Sequence, residues 1–588
     1  MLTGDVPAEP LQGVGYLAKK PVLTGLVFVF TAAVLLAGPW VLSFFVPCGD
    51  PSCSHRAHAQ FYLMITFGAA SVYALAAVAW PYVASWKRLG TCLQRPGYLA
   101  TALSAAVCFL AYFIYHFGNR QFGGYDFSIL VDTGWRLATG QRPYLDFVNT
   151  PPPGFYLGAK YAFQLFGATW AAQLWFTGLF AGVTFIWLYA LCREVIDNRT
   201  VALGLAFVVE CGAMLTTDFW WYNNTTDLTG AIFFLSCLLY SRKPVSAAAQ
   251  SSYVVSLALL SLMKPNVAGL FIPGAIVPLL LAVPSKRRLF LLTGVGILIS
   301  FIFLRANTVS IAGIANSYRE AAVGRGFTLF GFRYWKPIDL GRIIVCLILL
   351  CVPLLLLFPR FRVALNTRDW RAVGQNMLLL LAPVVNMYAI TTNGELKDVE
   401  WVAWVAADTI LVFESSHSRL RLMRFQFALL VGLLFSDLYM GAVRYRVYTI
   451  GPLTYFDWRC CTQIETPFFR NLEASERFKI VLDQIRDEVK RRPGSIFFGP
   501  RLEFAYAAFH IASPQHVPVW WHPGTSFAAK DEPALIQIWE SHQFDTLIFL
   551  KDDFTYYSTR FLAVINDHYA RDDHFSELTI MRAKREGR

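Results

Sequence analysis

The sequence predicts a mainly α-helical, polytopic membrane protein of about 13 transmembrane helices with a C-terminal α/β soluble domain on the outer face of the membrane. The first observation is composition: of 588 residues, 56% are hydrophobic and 15% are charged, which is too apolar for a string of water-soluble domains. The second is that long apolar runs recur along the chain. The third is a fall in hydropathy after Arg444, where helix and strand patterns begin to alternate.

Each apolar run is close to the roughly 20 residues that cross a hydrocarbon core. The first run follows Lys19 and Lys20 but is long and lacks a clear small-residue cleavage site, so we interpret it as a retained helix and not as a signal peptide. Segments 228–241 and 251–264 are short for a full crossing, which leaves tilted or broken helices open. The predicted crossings are 22–46, 61–84, 97–117, 168–191, 200–217, 228–241, 251–264, 267–283, 290–305, 342–359, 373–391, 399–414 and 424–443.

The formal charge is +12, and the placement of the cations explains it. Lysines and arginines cluster in alternate loops, which is the positive-inside pattern of membrane proteins and requires no nucleic-acid partner. With a cytoplasmic N-terminus, an odd number of crossings places the C-terminal domain outside. We therefore predict a multi-pass protein of a bacterial inner membrane with a periplasmic C-terminal domain. The predicted cytoplasmic cations include Lys87, Arg88, Arg193, Arg242, Lys243, Lys286, Arg287, Arg288 and Arg371.

The chain divides into two predicted domains. Residues 1–443 form a membrane-embedded catalytic domain whose first outer loop is 118–167, and residues 444–588 form the soluble domain. We find no Gly-rich phosphate loop in the soluble domain, so a nucleotide-binding role has little support. Its alternating pattern predicts a small parallel α/β layer. The predicted elements are helices at 473–492, 531–541 and 561–569 and strands at 495–498 and 546–550.

Two cysteines and two histidines share the predicted outer loop after the first helix: Cys48, Cys53, His55 and His58. Their spacing permits a disulfide, a zinc site or neither. In an oxidising compartment a loop-closing disulfide is the ordinary outcome. The paired Cys-x-x-Cys spacing of zinc ribbons is absent, so we favour the disulfide.

Further histidines, His510, His516 and His522, lie near Trp520 and Trp521. Tryptophans at a membrane surface usually act as anchors, so we favour an interfacial loop over a metal site at this position. We assign no metal ligands from the sequence.

The segment from Gly123 to Gly154 is polar and charged although apolar runs surround it. Charge retained beside a membrane usually has a function. Apolar residues recur at helical spacing between Tyr125 and Thr139, which predicts a helix lying in the membrane interface and ending at Gly140. The prolines before Gly154 begin a second interfacial helix that extends to Phe166. Two such helices would flank a crevice.

The loop resembles the first outer loop of the membrane-embedded GT-C glycosyltransferases, in particular the bacterial branch related to protein O-mannosyltransferases and aminoarabinose transferases. Here the loop follows the third predicted helix and not the first. The basic residue that often precedes the proline pair is replaced by Thr150 and Pro151. The matching residues are Asp126, Gly140, Pro143, Tyr144, Asp146, Phe147, Pro152, Pro153, Gly154, Phe166 and Gly167.

The resemblance implies sugar transfer from a polyprenyl-phosphate donor, and physical reasoning is compatible with it. Nucleotide sugars are scarce outside the cytoplasm, so an outward site would use a lipid-linked sugar. One carboxylate takes the proton of the acceptor hydroxyl while cations stabilise the departing phosphate. We assign the base to Asp126, with inversion. We assign Asp146 to orienting the acceptor or binding a cation, which leaves a divalent metal ion open as a cofactor.

Other side chains are candidates for substrate binding. Arg142 substitutes for the missing basic residue, and Tyr144 belongs to the resembled motif. Lys264 ends an apolar run near the outer face, where Tyr222 and Asn223 could meet a sugar or acceptor. We also place Asp132 in the substrate-binding set. Arg319, Arg325 and Arg333 in the long outer loop are weaker phosphate candidates.

Each candidate has a structural alternative. Asp126 could cap its helix, and Asp146 could cap a turn after Pro143. We favour for Asp132 an exposed face or an ion pair with Arg136 one turn later. Lys264 could extend its amine to the membrane surface.

The leading hypothesis is a hexosyl- or pentosyltransferase of the cell envelope that acts on a glycan, lipid or protein acceptor. The alternative is a multi-helix transporter or a lipid or glycolipid flippase. We find no internal repeat of the helix pattern, and the polar residues concentrate in outer loops, which disfavours a transporter. A non-catalytic scaffold does not explain three carboxylates in one interfacial loop.

Overall fold

The computed structural model of the chain describes residues between 95 and 584, with gaps. The chain divides into two compact units, and all described residues belong to one of them, which consists of residues 88–427 and 441–588. The other unit, 1–87 with 428–440, lies outside the described residues. The described residues are 95–119, 122, 125–148, 152–197, 199–215, 220–324, 354, 357–393, 401–414, 462–524, 526–551, 553–572 and 574–584.

Helices dominate the region before residue 415. Among the described residues, four helices are long and apolar enough to cross a membrane, namely those at Pro96–His116, Trp170–Val195, Pro265–Ala282 and Lys286–Ala306, so the chain is an integral membrane protein. The helices are α1 (Pro96–Gly118), α2 (Tyr125–Ala138), α3 (Pro153–Phe166), α4 (Trp170–Val195), α5 (Arg199–Met214), α6 (Tyr222–Arg242), α7 (Ala247–Met263), α8 (Pro265–Ala282), α9 (Lys286–Ala306), α10 (Ile311–Gly324), α11 (Trp370–Asn393) and α12 (Trp401–Glu414).

Small residues allow these helices to approach closely, as is common in membrane bundles. A Cβ atom added at Gly374 on α11 would lie 2.3 Å from the Pro278 carbonyl oxygen on α8. One added at Gly296 on α9 would lie 2.9 Å from Leu257 Cδ2 on α7. Glycine at these positions therefore sets the spacing of the helices.

The two ends of the bundle differ in chemistry. At one end, which we call the basic end, Lys243 Nζ lies 2.5 Å from the carboxylate of Glu194. Arg371 there donates to the Arg242 carbonyl at 2.7 Å. The opposite end, which we call the crevice end, is formed by the start of α6, the junction of α7 and α8, and the end of α9. The positive-inside pattern predicts that the basic end is cytoplasmic.

The predicted bounds of α6 were wrong. The predicted crossing at 228–241 is α6, which begins at Tyr222 and is long enough for a full span. Hydrogen bonds from the Thr225 and Thr226 hydroxyls to carbonyls one turn earlier satisfy polar side chains inside the first turns. The predicted long outer loop that carries Arg319 contains the helix α10.

Helices α2 and α3 occur where the sequence predicted helices, and their location in the membrane interface stays a prediction. They cross closely at Gly134, where an added Cβ would lie 2.8 Å from Ala159 Cβ. Gly140 ends the α2 turn with a positive φ of 96°, which glycine adopts without strain. At the start of α3, Pro153 occupies a position where its missing amide hydrogen costs nothing.

The C-terminal region is an α/β domain, but its sheet is mixed and not parallel. Strands β3 (Ile496–Phe498) and β4 (Thr546–Leu550) run parallel. The hairpin of β5 (Tyr569–Asp572) and β6 (Leu578–Ala583), which the sequence analysis missed, adds antiparallel pairs and gives the order β3-β4-β6-β5. The remaining elements are β1 (Thr462–Gln463), β2 (Glu473–Ala474), α13 (Glu476–Arg491), α14 (Ala505–Ala508), α15 (Glu532–Ser541) and α16 (Thr559–His568).

The C-terminal domain packs directly on the first outer loop. The ring of Phe122, just before α2, contacts the rings of Phe469, Phe478 and Phe504 at centroid distances of 4.7, 5.6 and 5.0 Å. A single buried cluster of apolar side chains includes residues of α2, α3 and this domain. Burial of that surface stabilises the domain against the loop.

The prediction that Trp521 lies in a loop at the membrane surface was wrong. Its side chain is 4% exposed, stacks on Phe561 at 4.0 Å and donates to the Glu532 carboxylate at 3.1 Å. Two adjacent tryptophans are typical of a loop at the membrane surface, but the Trp521 ring belongs to the core of the soluble domain.

Several predictions lie outside the described residues. These are the helices at 22–46, 61–84 and 424–443, most of the helix at 342–359, the loop with Cys48, Cys53, His55 and His58, and the candidates Arg325 and Arg333.

Candidate functional site

Lys264 occupies a polar niche at the crevice end of the bundle. It is the residue between α7 and α8, and its side chain is 6% exposed. The ammonium nitrogen donates to Asn223 Oδ1 at 2.8 Å and lies 5.2 Å from the centroid of the Tyr222 ring. An ammonium group over an aromatic face is stabilised by the electrons of the ring. The structure thus brings together three predicted binding residues that are up to 42 positions apart.

The start of α3 lies against this niche. A Cβ added at Gly154 would lie 2.6 Å from Met263 Sδ and 2.9 Å from Met263 Cα, next to Lys264. The indole nitrogen of Trp220 donates to the Phe155 carbonyl at 3.0 Å. The proline–glycine motif of the loop therefore places α3 within contact distance of the lysine niche.

Four tyrosines extend from the niche along the first outer loop, in the order Tyr222, Tyr318, Tyr144 and Tyr156; we call them the tyrosine row. Burial raises the pKa values of Tyr318, Tyr144 and Tyr156, and each of the three hydroxyls is also influenced by a neighbour in the row. The hydroxyls of Tyr144 and Tyr156 are buried, and each acts on the pKa of the other. Buried hydroxyl groups are costly unless they are paired.

The backbone of Tyr144 is held in an uncommon conformation. Its φ is 66°, in a region of backbone conformation that residues other than glycine rarely adopt. Its amide donates to the Phe147 carbonyl at 2.9 Å, and its Cβ would lie 2.4 Å from a Cβ added at Gly313 on α10. The turn therefore directs the Tyr144 ring onto α10. Backbone strain of this kind often occurs at binding sites.

Arg142 and Asp146 pair with each other at the surface of the loop. The guanidinium reaches the carboxylate at 3.0 and 3.1 Å, and the Arg142 amide donates to it at 2.7 Å. These hydrogen bonds from Arg142 hold the pKa of Asp146 below its usual range. The turn-capping alternative for Asp146 is present, and the pair stabilises the loop conformation. The roles of both residues in substrate binding and catalysis remain predictions.

Asp132 and Arg136 form an ion pair in the protein interior. Their side chains are 0% and 2% exposed, and Arg136 Nε lies 2.8 Å from Asp132 Oδ2. The two residues are one helical turn apart and form the ion pair that this spacing suggested. The pair lies on a buried face of α2 and not on an exposed face. Because protein encloses both groups, the ion pair is in a position to stabilise the fold.

Asp126 lies in the first turn of α2, which begins at Tyr125. Its side chain is outside the described residues, so its role as base remains a prediction. Among the described residues, no group of three or more His, Cys, Asp and Glu side chains could hold a metal ion.

Sequence reasoning missed Lys160, Tyr156 and Tyr318. Lys160 Nζ on α3 donates to Asn307 Oδ1 at 2.9 Å, and burial lowers its pKa. Tyr156 follows Gly154 by two positions, so its proximity to the resembled motif was an available signal. Tyr318 belongs to α10, which lies within the predicted long outer loop.

Comparisons with known proteins return only solved structures. No family model and no curated protein matches the chain. The crystal structure of ArnT from Cupriavidus metallidurans bound to undecaprenyl phosphate has 12% identity and a TM-score of 0.47, covering 83% of this chain and 98% of that one. The same protein in the apo state has 13% identity and a TM-score of 0.40, covering 82% and 97%. This degree of similarity assigns no function to the chain.

Proposed function

We propose that the protein is an integral membrane glycosyltransferase that transfers a sugar from a polyprenyl-phosphate donor to an acceptor hydroxyl at the outer face of the membrane. The observation that carries the proposal is the position of Lys264. A buried ammonium group, oriented by Asn223 and Tyr222, lies against the start of α3 in the same loop that carries Asp126.

The proposed reaction needs two groups on opposite sides of the sugar. The Asp126 carboxylate accepts the proton of the acceptor hydroxyl as the oxygen attacks the anomeric carbon. The bond from that carbon to the phosphate oxygen breaks, and the lipid phosphate departs with the electron pair and so gains one negative charge. This single displacement inverts the anomeric configuration.

Lys264 would stabilise the charge that develops on the departing phosphate. Its orientation is fixed before substrate binds, because Asn223 and the Tyr222 ring hold the ammonium group. A preorganised cation in a site that excludes water lowers the energy of the transition state more than a mobile surface lysine would. Tyr144 and Tyr156, whose buried hydroxyls interact with each other, would offer hydrogen bonds to the sugar.

The proposal is tested in a strain that lacks the protein. Mass spectrometry of the cell-envelope glycans and lipids should show a lost sugar that wild-type protein restores and Asp126→Asn does not. Lys264→Met should also fail to restore it. The matched control is Lys243→Gln, because Lys243 is half-exposed at the basic end. Full restoration by Asp126→Asn would contradict the assignment of the base, and substrate movement across vesicles without a glycosidic product would favour a transporter.

A further inference from the structure

The C-terminal domain contacts the helix of the predicted base through a buried hydrogen-bond relay. Ser128 lies two positions after Asp126 on α2 and is fully buried. Its hydroxyl donates to Glu503 Oε2 at 2.6 Å and accepts from the Phe504 amide at 2.9 Å. Both partners belong to the segment between β3 and α14, so this turn of α2 is held by the C-terminal domain.

The same face of α2 makes further contacts with the domain at later turns. Asp132 accepts from the Ser513 hydroxyl at 2.6 Å, and Arg136 donates to the Pro514 carbonyl at 2.6 Å. The indole nitrogen of Trp135 donates to the Ile511 carbonyl at 2.8 Å. Positions spaced by about four residues lie on one helix face.

Hydrogen bonds of this kind restrict motion more than apolar contacts do. The rings around Phe122 would tolerate a small slide or rotation of α2, since dispersion contacts have little directionality. A buried hydroxyl between a carboxyl group and an amide has one good geometry. Losing it leaves buried polar groups unsatisfied, which is unfavourable.

We propose that Glu503 is a positioning residue: through Ser128 it fixes the rotation and axial position of the first turn of α2, which carries Asp126. The inference rests on the proposed function for the role of Asp126. It makes the C-terminal domain a part of the catalytic unit, although the domain supplies no reacting group.

Burial raises the pKa of Glu503 to about 8, so the side chain is mostly protonated at neutral pH. Glutamine then has nearly the same shape, charge and acceptor oxygen. Glu503→Gln should retain kcat within about threefold, whereas Glu503→Ala and Ser128→Ala should each lower kcat on the order of 10- to 100-fold with little change in KM for the donor, because a misplacement near 1 Å can cost about 100-fold.

The matched control is Glu532→Ala. Glu532 is also a buried carboxyl in the C-terminal domain, and its partner Trp521 belongs to the same domain. It should lower thermal stability and leave kcat per folded molecule unchanged. An equal loss of kcat in Glu532→Ala, or an unchanged kcat in both Glu503→Ala and Ser128→Ala, would overturn the inference.

A second readout does not require activity. In an Asp126→Cys protein, the rate at which a maleimide modifies the thiol reports the position of the first turn of α2. Adding Glu503→Ala should change that rate by about threefold or more, and adding Glu532→Ala should leave it unchanged. If wild-type protein transfers no sugar but the rate still changes, the proposed function fails and the positioning stands. If transfer occurs and Glu503→Ala changes neither kcat nor the rate, only the positioning fails.

Discussion

Replacing Arg136 with methionine should destabilise the contact between α2 and the C-terminal domain strongly. The change removes the partner of a fully buried carboxylate and the donor to the Pro514 carbonyl. Breaking one side of a buried ion pair costs about 3–5 kcal/mol. Whole proteins are stable by only about 5–15 kcal/mol, so the variant should unfold at a clearly lower temperature.

The size of this effect should depend on pH. Burial already raises the pKa of Asp132, and Arg136 opposes that rise. Without the arginine, the pKa of Asp132 should rise further above its unfolded value of 3.8. A carboxyl group with a raised folded-state pKa loses stability as pH increases between the two values, by up to about 1.4 kcal/mol per pH unit. Arg136→Met should therefore be milder at pH 5 than at pH 8.

The assay is a double-mutant cycle in detergent at both pH values, followed by thermal unfolding. Asp132→Asn combined with Arg136→Met should be less destabilised than the sum of the single variants by about 1–3 kcal/mol, because the uncompensated carboxylate is then gone. Additive effects, or the same penalty at pH 5 and pH 8, would refute the reasoning.

Three further predictions concern the crevice and the domain contact. Lys264→Met should lower the rate of sugar transfer on the order of 100-fold while the protein still folds, measured with membranes and lipid-linked donor. Gly158→Ala should destabilise the crevice by about 1–3 kcal/mol, because the added Cβ would lie 2.2 Å from the Trp220 ring, whereas Gly204→Ala, with nothing within 4 Å, should be tolerated in the same melting experiment. The contribution of Glu503 to stability should decline as pH rises from 4.5 towards about 8, and Glu503→Gln should remove that slope in a pH series of melting temperatures.

Local patterns could be predicted from the sequence because their partners are close along the chain. Asp132 and Arg136 are four positions apart, and the pair that this spacing suggested forms. The helix α2 and its end at Gly140 follow from apolar periodicity and from glycine at a positive φ.

Contacts between distant segments could not be predicted in this way. Nothing near Ser128 indicates that its acceptor is Glu503, and nothing near Trp521 indicates that its ring is enclosed by the soluble domain. The meeting of Lys264 with Asn223 depends on how α6 packs against the junction of α7 and α8. Periodicity specifies which face of a helix is apolar, but not which helix covers it.

The hydrogen bond between Ser128 and Glu503 joins residues 375 positions apart, which has a consequence for biosynthesis. At about 5–20 residues per second, a ribosome takes roughly 20–75 seconds to travel that distance. During this interval the Ser128 hydroxyl is without both of its partners from the C-terminal domain, Glu503 and the Phe504 amide. The contact between α2 and the C-terminal domain therefore forms only after residue 504 has been made, so a chain that ends before Glu503 should lack the fixed position of the first turn of α2.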